Sequence, residues 1–234
     1  MVRFVVAGGG VAGLATALAL ARAGQDVVVL ERDAIDPAGP PESAFTMRRR
    51  GIPHYFQPHA FLPRGRRSLA EWAPDVLDTL VAVGAHSQDL AVKLHGPREP
   101  GDADLVYLWA RRPVVEWALR RAAAAEPAVE LRSGVTVSGL LTDTDGVVRA
   151  TGVAVAPGEP VRGDVVVDAL GRYRHPPGWP RGYGIPTDCG AVYYCRYFRL
   201  EPGVEYFAAP VLNPRGDLGY LGFNTGLPPG SCRG

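Results

Sequence analysis

The stretch that most restricts what this chain can fold into is residues 3–32, RFVVAGGGVAGLATALALARAGQDVVVLER. Arg3 to Ala7 is a short apolar run of the kind that forms a buried parallel strand. It leads into Gly8-Gly9-Gly10-Val11-Ala12-Gly13, after which Leu14 to Ala23 reads as a helix rich in Ala and Leu, stopped by Gly24. Val27 to Leu30 is a second apolar run, ending at Glu31. Strand, helix and strand in so short a span make a βαβ unit.

Gly8, Gly10 and Gly13 have the spacing of a dinucleotide fingerprint. Gly8 permits the tight strand-to-helix turn, Gly10 lets a pyrophosphate approach the backbone, and Gly13 lets helix and strand pack closely. The helix N-terminus offers N–H groups and a positive dipole end to phosphates, and Val11 and Ala12, just ahead of it, join the cofactor-binding set. Glu31 stands at the tip of the second strand, where a carboxylate accepts both ribose hydroxyls and disfavours a 2′-phosphate. The adenosine would then belong to FAD or NAD rather than NADP. Arg32, next to Glu31, is assigned to the same cofactor-binding set.

At 234 residues the chain has room for one large domain or one and a half smaller ones. A formal charge of +1 argues against nucleic acid or a polybasic membrane surface as the main partner. Lys93 is the only lysine, so arginine supplies nearly all the positive charge. Cys189, Cys195 and Cys232 have neither CxxC spacing nor an even count, which suits reduced thiols and no metal site. The apolar stretch Val11 to Ala23 is too short to span a bilayer, and no signal peptide precedes the first strand. A soluble, cytoplasmic protein is expected.

Asp33 to Ser43 reads as a surface loop, and the prolines within residues 47–62 argue against a long regular element. Gly65 to Ala85 has helical period, with Leu69, Trp72, Leu77, Leu80 and Val81 on one face and Pro74 splitting it. Leu90 to Leu94 and Leu105 to Trp109 read as strands. Arg112 to Ala125 reads as a helix with Pro113 in its first turn, where a missing N–H costs little. Short β runs follow at 129–131, 135–141, 147–155 and 165–167, with Asp145-Gly146 a hairpin signal. They predict an antiparallel excursion of three strands that leaves and rejoins the parallel sheet. Beyond residue 171, three longer strands at 191–200, 205–212 and 218–223 would begin a second sheet, with turns at 202–203 and 213–216.

Three motifs give this chain a resemblance to a known family. One is the glycine fingerprint with Glu31. Another is Arg111-Arg112-Pro113-Val114-Val115-Glu116, opening a helix after a strand. The third is Asp164-Val165-Val166-Val167-Asp168-Ala169-Leu170-Gly171-Arg172, a strand ending in Asp-x-x-Gly-Arg. In order and spacing these resemble the FAD-dependent monooxygenases of the p-hydroxybenzoate hydroxylase fold, the class A aromatic-hydroxylase-like enzymes, over residues 3–172. The resemblance implies that Arg112 lies beside the FAD ribityl and pyrophosphate and that Asp168 and Gly171 close over the dinucleotide. It also places His54, Gln57 and His59 in a loop near the flavin. Plainer readings stand beside these: a surface Arg112, an Asp168 that only caps a turn, ordinary loop histidines, and a solvated patch at Arg48-Arg49-Arg50.

The implied fold is α/β: a Rossmann-like FAD-binding domain at 1–172, the start of an antiparallel β-sheet substrate domain at 173–225, and an unstructured tail at 226–234. The implied activity is hydroxylation or epoxidation of a small apolar or aromatic substrate through a flavin hydroperoxide, with NAD(P)H as electron donor. Substrate would lie near Tyr193, Tyr194, Tyr197, Tyr206, Phe207 and Tyr220. The family's later Gly-Asp that opens a helix has no counterpart, since Gly101-Asp102, Gly163-Asp164 and Gly216-Asp217 open none. A C-terminally truncated chain is therefore expected, with a non-catalytic adenosine-binding remnant as the rival reading. A halogenase would need Trp-x-Trp-x-Ile-Pro, and no two tryptophans stand two apart. An isoprenoid-reducing flavoprotein stays open.

Overall fold

The structure is a computed structural model that describes residues 1–36, 39–94, 96–171 and 176–179, together with residues 194, 196, 201, 215–217 and 222–224. In chain order the elements begin with strand β1 (Arg3–Ala7), helix α1 (Val11–Arg22) and strand β2 (Asp26–Glu31). A 3₁₀ turn at Pro41–Phe45 precedes β3 (Pro58–Phe61), α2 (Pro63–Trp72), α3 (Pro74–Ala82) and β4 (His86–Asp89). Next come β5 (Val106–Arg111), α4 (Arg112–Ala125), β6 (Val129–Ser133), β7 (Thr136–Asp145) and β8 (Val147–Ala156). A 3₁₀ turn at Asp102–Asp104, opened by Gly101 where no helix start was expected, precedes β5. β9 (Val161–Arg162), β10 (Val165–Asp168), β11 (Arg215–Asp217) and β12 (Gly222–Asn224) follow β8.

The chain divides into two compact units, one of residues 1–55 and 113–186, the other of 56–112 and 187–234. The first is built on a parallel sheet in the order β10-β1-β2-β6. Its central strands β1 and β2 are apolar on both faces, as a parallel sheet covered on both sides requires, while the edge strand β6 carries Glu130 and Arg132 on one face. Val5, Ala7, Val28 and Leu30 pack on one side with Val137, Val153, Val161 and Trp179. Val6, Val27 and Val29 pack on the other with Ala17 and Ala21 of α1. The antiparallel sheet β7-β8-β9 branches off this sheet, and β10 then returns to pair parallel with β1. This is the predicted excursion, turned at the tip by Gly146 with φ +77. The second unit holds the antiparallel sheet β3-β5-β4 and helices α2 and α3.

Local departures from expectation have physical causes. Helix α1 starts at Val11 rather than Leu14, because Gly10 takes the extended N-cap conformation and nothing after it opposes helix. Leu90 to Leu94 is not a strand. Asp89 Oδ1 accepts the Ala91 N–H at 2.8 Å and turns the chain into a short 3₁₀ segment at Ala91–Lys93. The strand there is the polar His86–Asp89, which needs no apolar alternation because it is mostly exposed and pairs only with β5. On α3 the buried residues are Val76, Leu77 and Leu80, while Val81 is half exposed. Arg215 and Gly216, assigned to a turn, are paired in β11 with Asn224 and Phe223 of β12. Most of the expected strands at 191–200, 205–212 and 218–223, and the tail at 226–234, lie outside the described residues.

Candidate cofactor site

The site is assembled where β1 ends. Gly8 has φ +112, a conformation side chains resist, and a Cβ there would meet Ala169 O at 2.3 Å. A Cβ on Gly13 would meet Gly8 O at 1.9 Å, so this glycine lets α1 close onto the strand. Gly10 differs from both: among the described residues a Cβ there meets only Ile52 Cδ1, at 4.0 Å. Space is therefore open in front of Gly10, where a pyrophosphate would approach. Among the described residues no side chain caps α1. The N–H groups of its first turn, at Val11, Ala12 and Gly13, have no intrahelical acceptor by helix geometry. An uncapped helix start facing open space is an anion site.

Glu31 closes the other side of the turn. Its Oε2 accepts the Gly9 N–H at 3.0 Å and an Arg49 N–H at 3.0 Å, and its Oε1 accepts the Asp33 N–H at 2.8 Å. An ionised carboxylate offers about four lone-pair positions, so about one stays open, on Oε1, for a ribose hydroxyl. Burial pushes the Glu31 carboxyl up, but the Arg49 hydrogen bond and charge outweigh it, with help from the Asp33 N–H and Arg120. The group is held below its ordinary value.

Sequence reasoning did not find the ionic cluster behind the turn. Arg49, read as part of a solvated patch, is buried, with its side chain 3% exposed. It donates to Glu31 and, at 3.0 Å, to Asp33 Oδ2. Its Nε lies 2.8 Å from Glu116 Oε1, close enough for an ion pair but out of hydrogen-bonding alignment. Glu116 is fully buried and accepts from Arg120 at 3.3 Å, one turn along α4. Arg120 Nη2 donates to Gly9 O at 2.7 Å, and Arg49 Nη2 reaches the same oxygen at 3.4 Å. Burial pushes the Glu116 carboxyl above its ordinary value despite its two arginine neighbours, and burial lowers Arg120. The available signal was Glu116 and Arg120 at i and i+4 within the stretch Pro113 to Arg120, whose other residues are all apolar. For Arg49 no local signal existed, because its partners are distant in sequence.

The other expected residues sit as follows. Asp168 ends β10 opposite Ala7 of β1, and its carboxylate accepts from the Leu170 N–H at 3.0 Å and from the Trp179 indole. Gly171, with φ +84, is exposed just beyond. Arg32 reaches Asp33 Oδ1 at 3.4 Å. Arg112 belongs to the second unit, where its Nη1 lies 3.2 Å from His59 Nε2. The His59 Nδ1 is 3.3 Å from Gln57 O. Tyr194 is 85% exposed, while Tyr193, Tyr197, Tyr206, Phe207 and Tyr220 lie outside the described residues. No helix among the described residues is long and apolar enough to cross a membrane.

Comparison with solved structures gives the same fold. PqsL, a probable FAD-dependent monooxygenase from Pseudomonas aeruginosa, superposes with TM-score 0.51 at 17% identity, covering 70% of this chain and 41% of its own. A PqsL complex with 2-aminobenzoylacetate gives the same values. A four-substitution variant of PqsL reaches TM-score 0.53 at 18% identity over 72% of this chain and 42% of its own. The chain thus spans about two fifths of the length of these structures. No curated protein sequence matches significantly. The FAD dependent oxidoreductase family, DAO, matches residues 3–156, more than half of the chain. With the glycine turn, the open face at Gly10 and the acid at Glu31 already in place, the chain belongs to the FAD dependent oxidoreductase family.

Proposed function

We propose that this chain binds FAD as a monooxygenase of the class A, p-hydroxybenzoate hydroxylase-like type, acting on a small apolar or aromatic molecule with NAD(P)H as electron donor in the cytoplasm. The observation that carries the FAD part is the open space at Gly10 before an uncapped helix, with a half-buried, ionised Glu31 on the far side of the turn. The monooxygenase part is supported by the order of the three motifs and by the fold shared with PqsL. Bound FAD supplies electron transfer and activation of O₂. The residues do the rest: the first-turn N–H groups of α1 hold the pyrophosphate, and Glu31 accepts a ribose hydroxyl through its remaining position. Asp168 fixes the Ala169–Gly171 turn beside Gly8 by taking the Leu170 N–H. Arg112, held by His59, is assigned the ribityl side of the cofactor.

Titration with FAD, followed by quenching of flavin fluorescence, tests the first part. The parent chain should saturate, and Gly10→Val should lose detectable binding while its circular dichroism is unchanged. A Gly10→Val chain that still purifies yellow would remove the site. For the second part, FAD, NAD(P)H, isotopically labelled O₂ and an aromatic substrate are supplied together, and label in the product is the expected result. Substrate reduction without O₂ uptake would instead assign an isoprenoid-reductase-type activity. ADP binding with no additional affinity for FAD would assign an adenosine-binding remnant.

A further inference from the structure

Gly9 is held on both sides by charged side chains, and this has a consequence for its neighbour. Its N–H is taken by Glu31 at 3.0 Å, and its carbonyl by Arg120 at 2.7 Å with Arg49 at 3.4 Å. The three side chains come from the end of β2, the loop after it and the middle of α4. Gly9 itself is required by this arrangement, since a Cβ would stand 2.9 Å from Glu31 Cβ. The Gly9 carbonyl and the Gly10 N–H belong to one peptide group, which is planar and trans. Fixing the carbonyl toward the buried guanidinium groups aims the Gly10 N–H the opposite way. Among the described residues no acceptor meets that N–H. Two cationic donors on the carbonyl also polarise the amide and make its N–H a stronger donor.

We propose that Arg120, with Glu116 and Arg49 behind it, is a positioning group that aims and polarises the Gly10 N–H toward the cofactor's pyrophosphate. This rests on the FAD reading above. Fold stability is a poor account of the cluster, because buried ion pairs replaced by well-packed apolar side chains leave stability unchanged or raised in many proteins. Its placement supplies the reason: both arginines converge on one carbonyl, that of the peptide preceding the open face at Gly10. Glu116 keeps the two guanidinium groups together, lying 2.8 Å from Arg49 Nε and 3.3 Å from Arg120 Nη2.

The test compares the parent chain with Arg120→Met, Arg120→Lys and the double variant Glu116→Met/Arg120→Met, which removes that pair together and leaves Arg49 its partners Glu31 and Asp33. Denaturation midpoint, ADP affinity by calorimetry and the Gly10 amide-proton shift in the ligand-free chain are measured on each. The double variant should unfold no earlier than the parent yet bind ADP at least about tenfold more weakly. Its Gly10 amide proton should move upfield, and Arg120→Lys should recover part of both effects. A double variant that binds ADP within twofold of the parent, or that fails to fold, makes the cluster structural and overturns the proposal. Should the parent bind neither ADP nor FAD, the cofactor reading fails by itself. The amide shift still decides the clamp, and an unchanged Gly10 signal in the double variant overturns it.

Discussion

Glu31 and Glu116 share Arg49 yet are displaced in opposite directions from the ordinary carboxylate value, and that gives a test at the scale of single residues. Glu31 is held below its ordinary value of 4.5, so its stabilising contribution is full above about that pH and is lost as pH falls through its depressed value. Glu116 is raised above 4.5 by burial, so its contribution is full below that value and is lost as pH rises through its raised one. The advantage of the parent over Glu31→Gln in unfolding free energy should shrink on acidification below about pH 4.5. The advantage over Glu116→Gln should shrink in the other direction, as pH rises above that value. Denaturant unfolding across pH 3–8 checks both, and parallel curves would contradict the assignment. Gly9→Ala puts a Cβ against Glu31 Cβ and should cost about 1–3 kcal/mol. Nothing in the triplet spacing flags Gly9, because its constraint comes from the approaching carboxylate and not from backbone conformation.

At the scale of elements, legibility follows how local the cause is. Strand β1, helix α4 and the break between α2 and α3 at Pro74 were all readable, since apolar runs, helical period and proline act within a few residues. The β7-β8 hairpin of the excursion was readable because hairpin chemistry at Asp145-Gly146 is local too, whereas the two-residue β9 carried no such signal. The segment at Leu90 misled because an apolar run fits either a strand or the foot of a loop, and the deciding bond came from the Asp89 side chain. Arg49 was illegible for a stronger reason: whether three arginines are solvated depends on acids at 31 and 116 that only the tertiary fold brings near. Helix α1 separates packing from binding. Leu18 is fully buried, away from the glycine turn, so Leu18→Ala should destabilise by about 2–5 kcal/mol. ADP affinity of the folded fraction should stay within about twofold, and a parallel loss of both would mean that the turn has no independent rigidity.

At the scale of the molecule, every residue described around the glycine turn lies in the first unit, although the chain leaves that unit after residue 55 and returns at 113. The residues proposed for the adenosine end therefore lie within one compact body, and ligand selectivity is the natural readout. FMN and riboflavin lack the adenosine and should bind far more weakly than ADP or FAD. The sharper prediction concerns the 2′ position of the ribose. Glu31 is ionised and 12% exposed, with Gly9, Arg49 and Asp33 already on its oxygens. Its open position accepts a hydrogen bond and can donate none. A ribose hydroxyl supplies the donor, whereas a 2′-phosphate brings charge of the same sign and loses that bond. Arg49 offers no relief, since its guanidinium is committed to Glu31, Asp33 and Gly9 O behind the turn. One lost charge-assisted bond is worth about 1.5–3 kcal/mol, so 2′,5′-ADP, which is 5′-AMP with a 2′-phosphate added, should bind at least about tenfold more weakly than 5′-AMP. In Glu31→Gln the carboxamide keeps an acceptor and gains a donor, so the gap should narrow mainly by improved 2′,5′-ADP binding. Competition calorimetry with the two nucleotides on parent and variant measures this. Equal affinity of the parent for both would show that Glu31 does not meet the ribose.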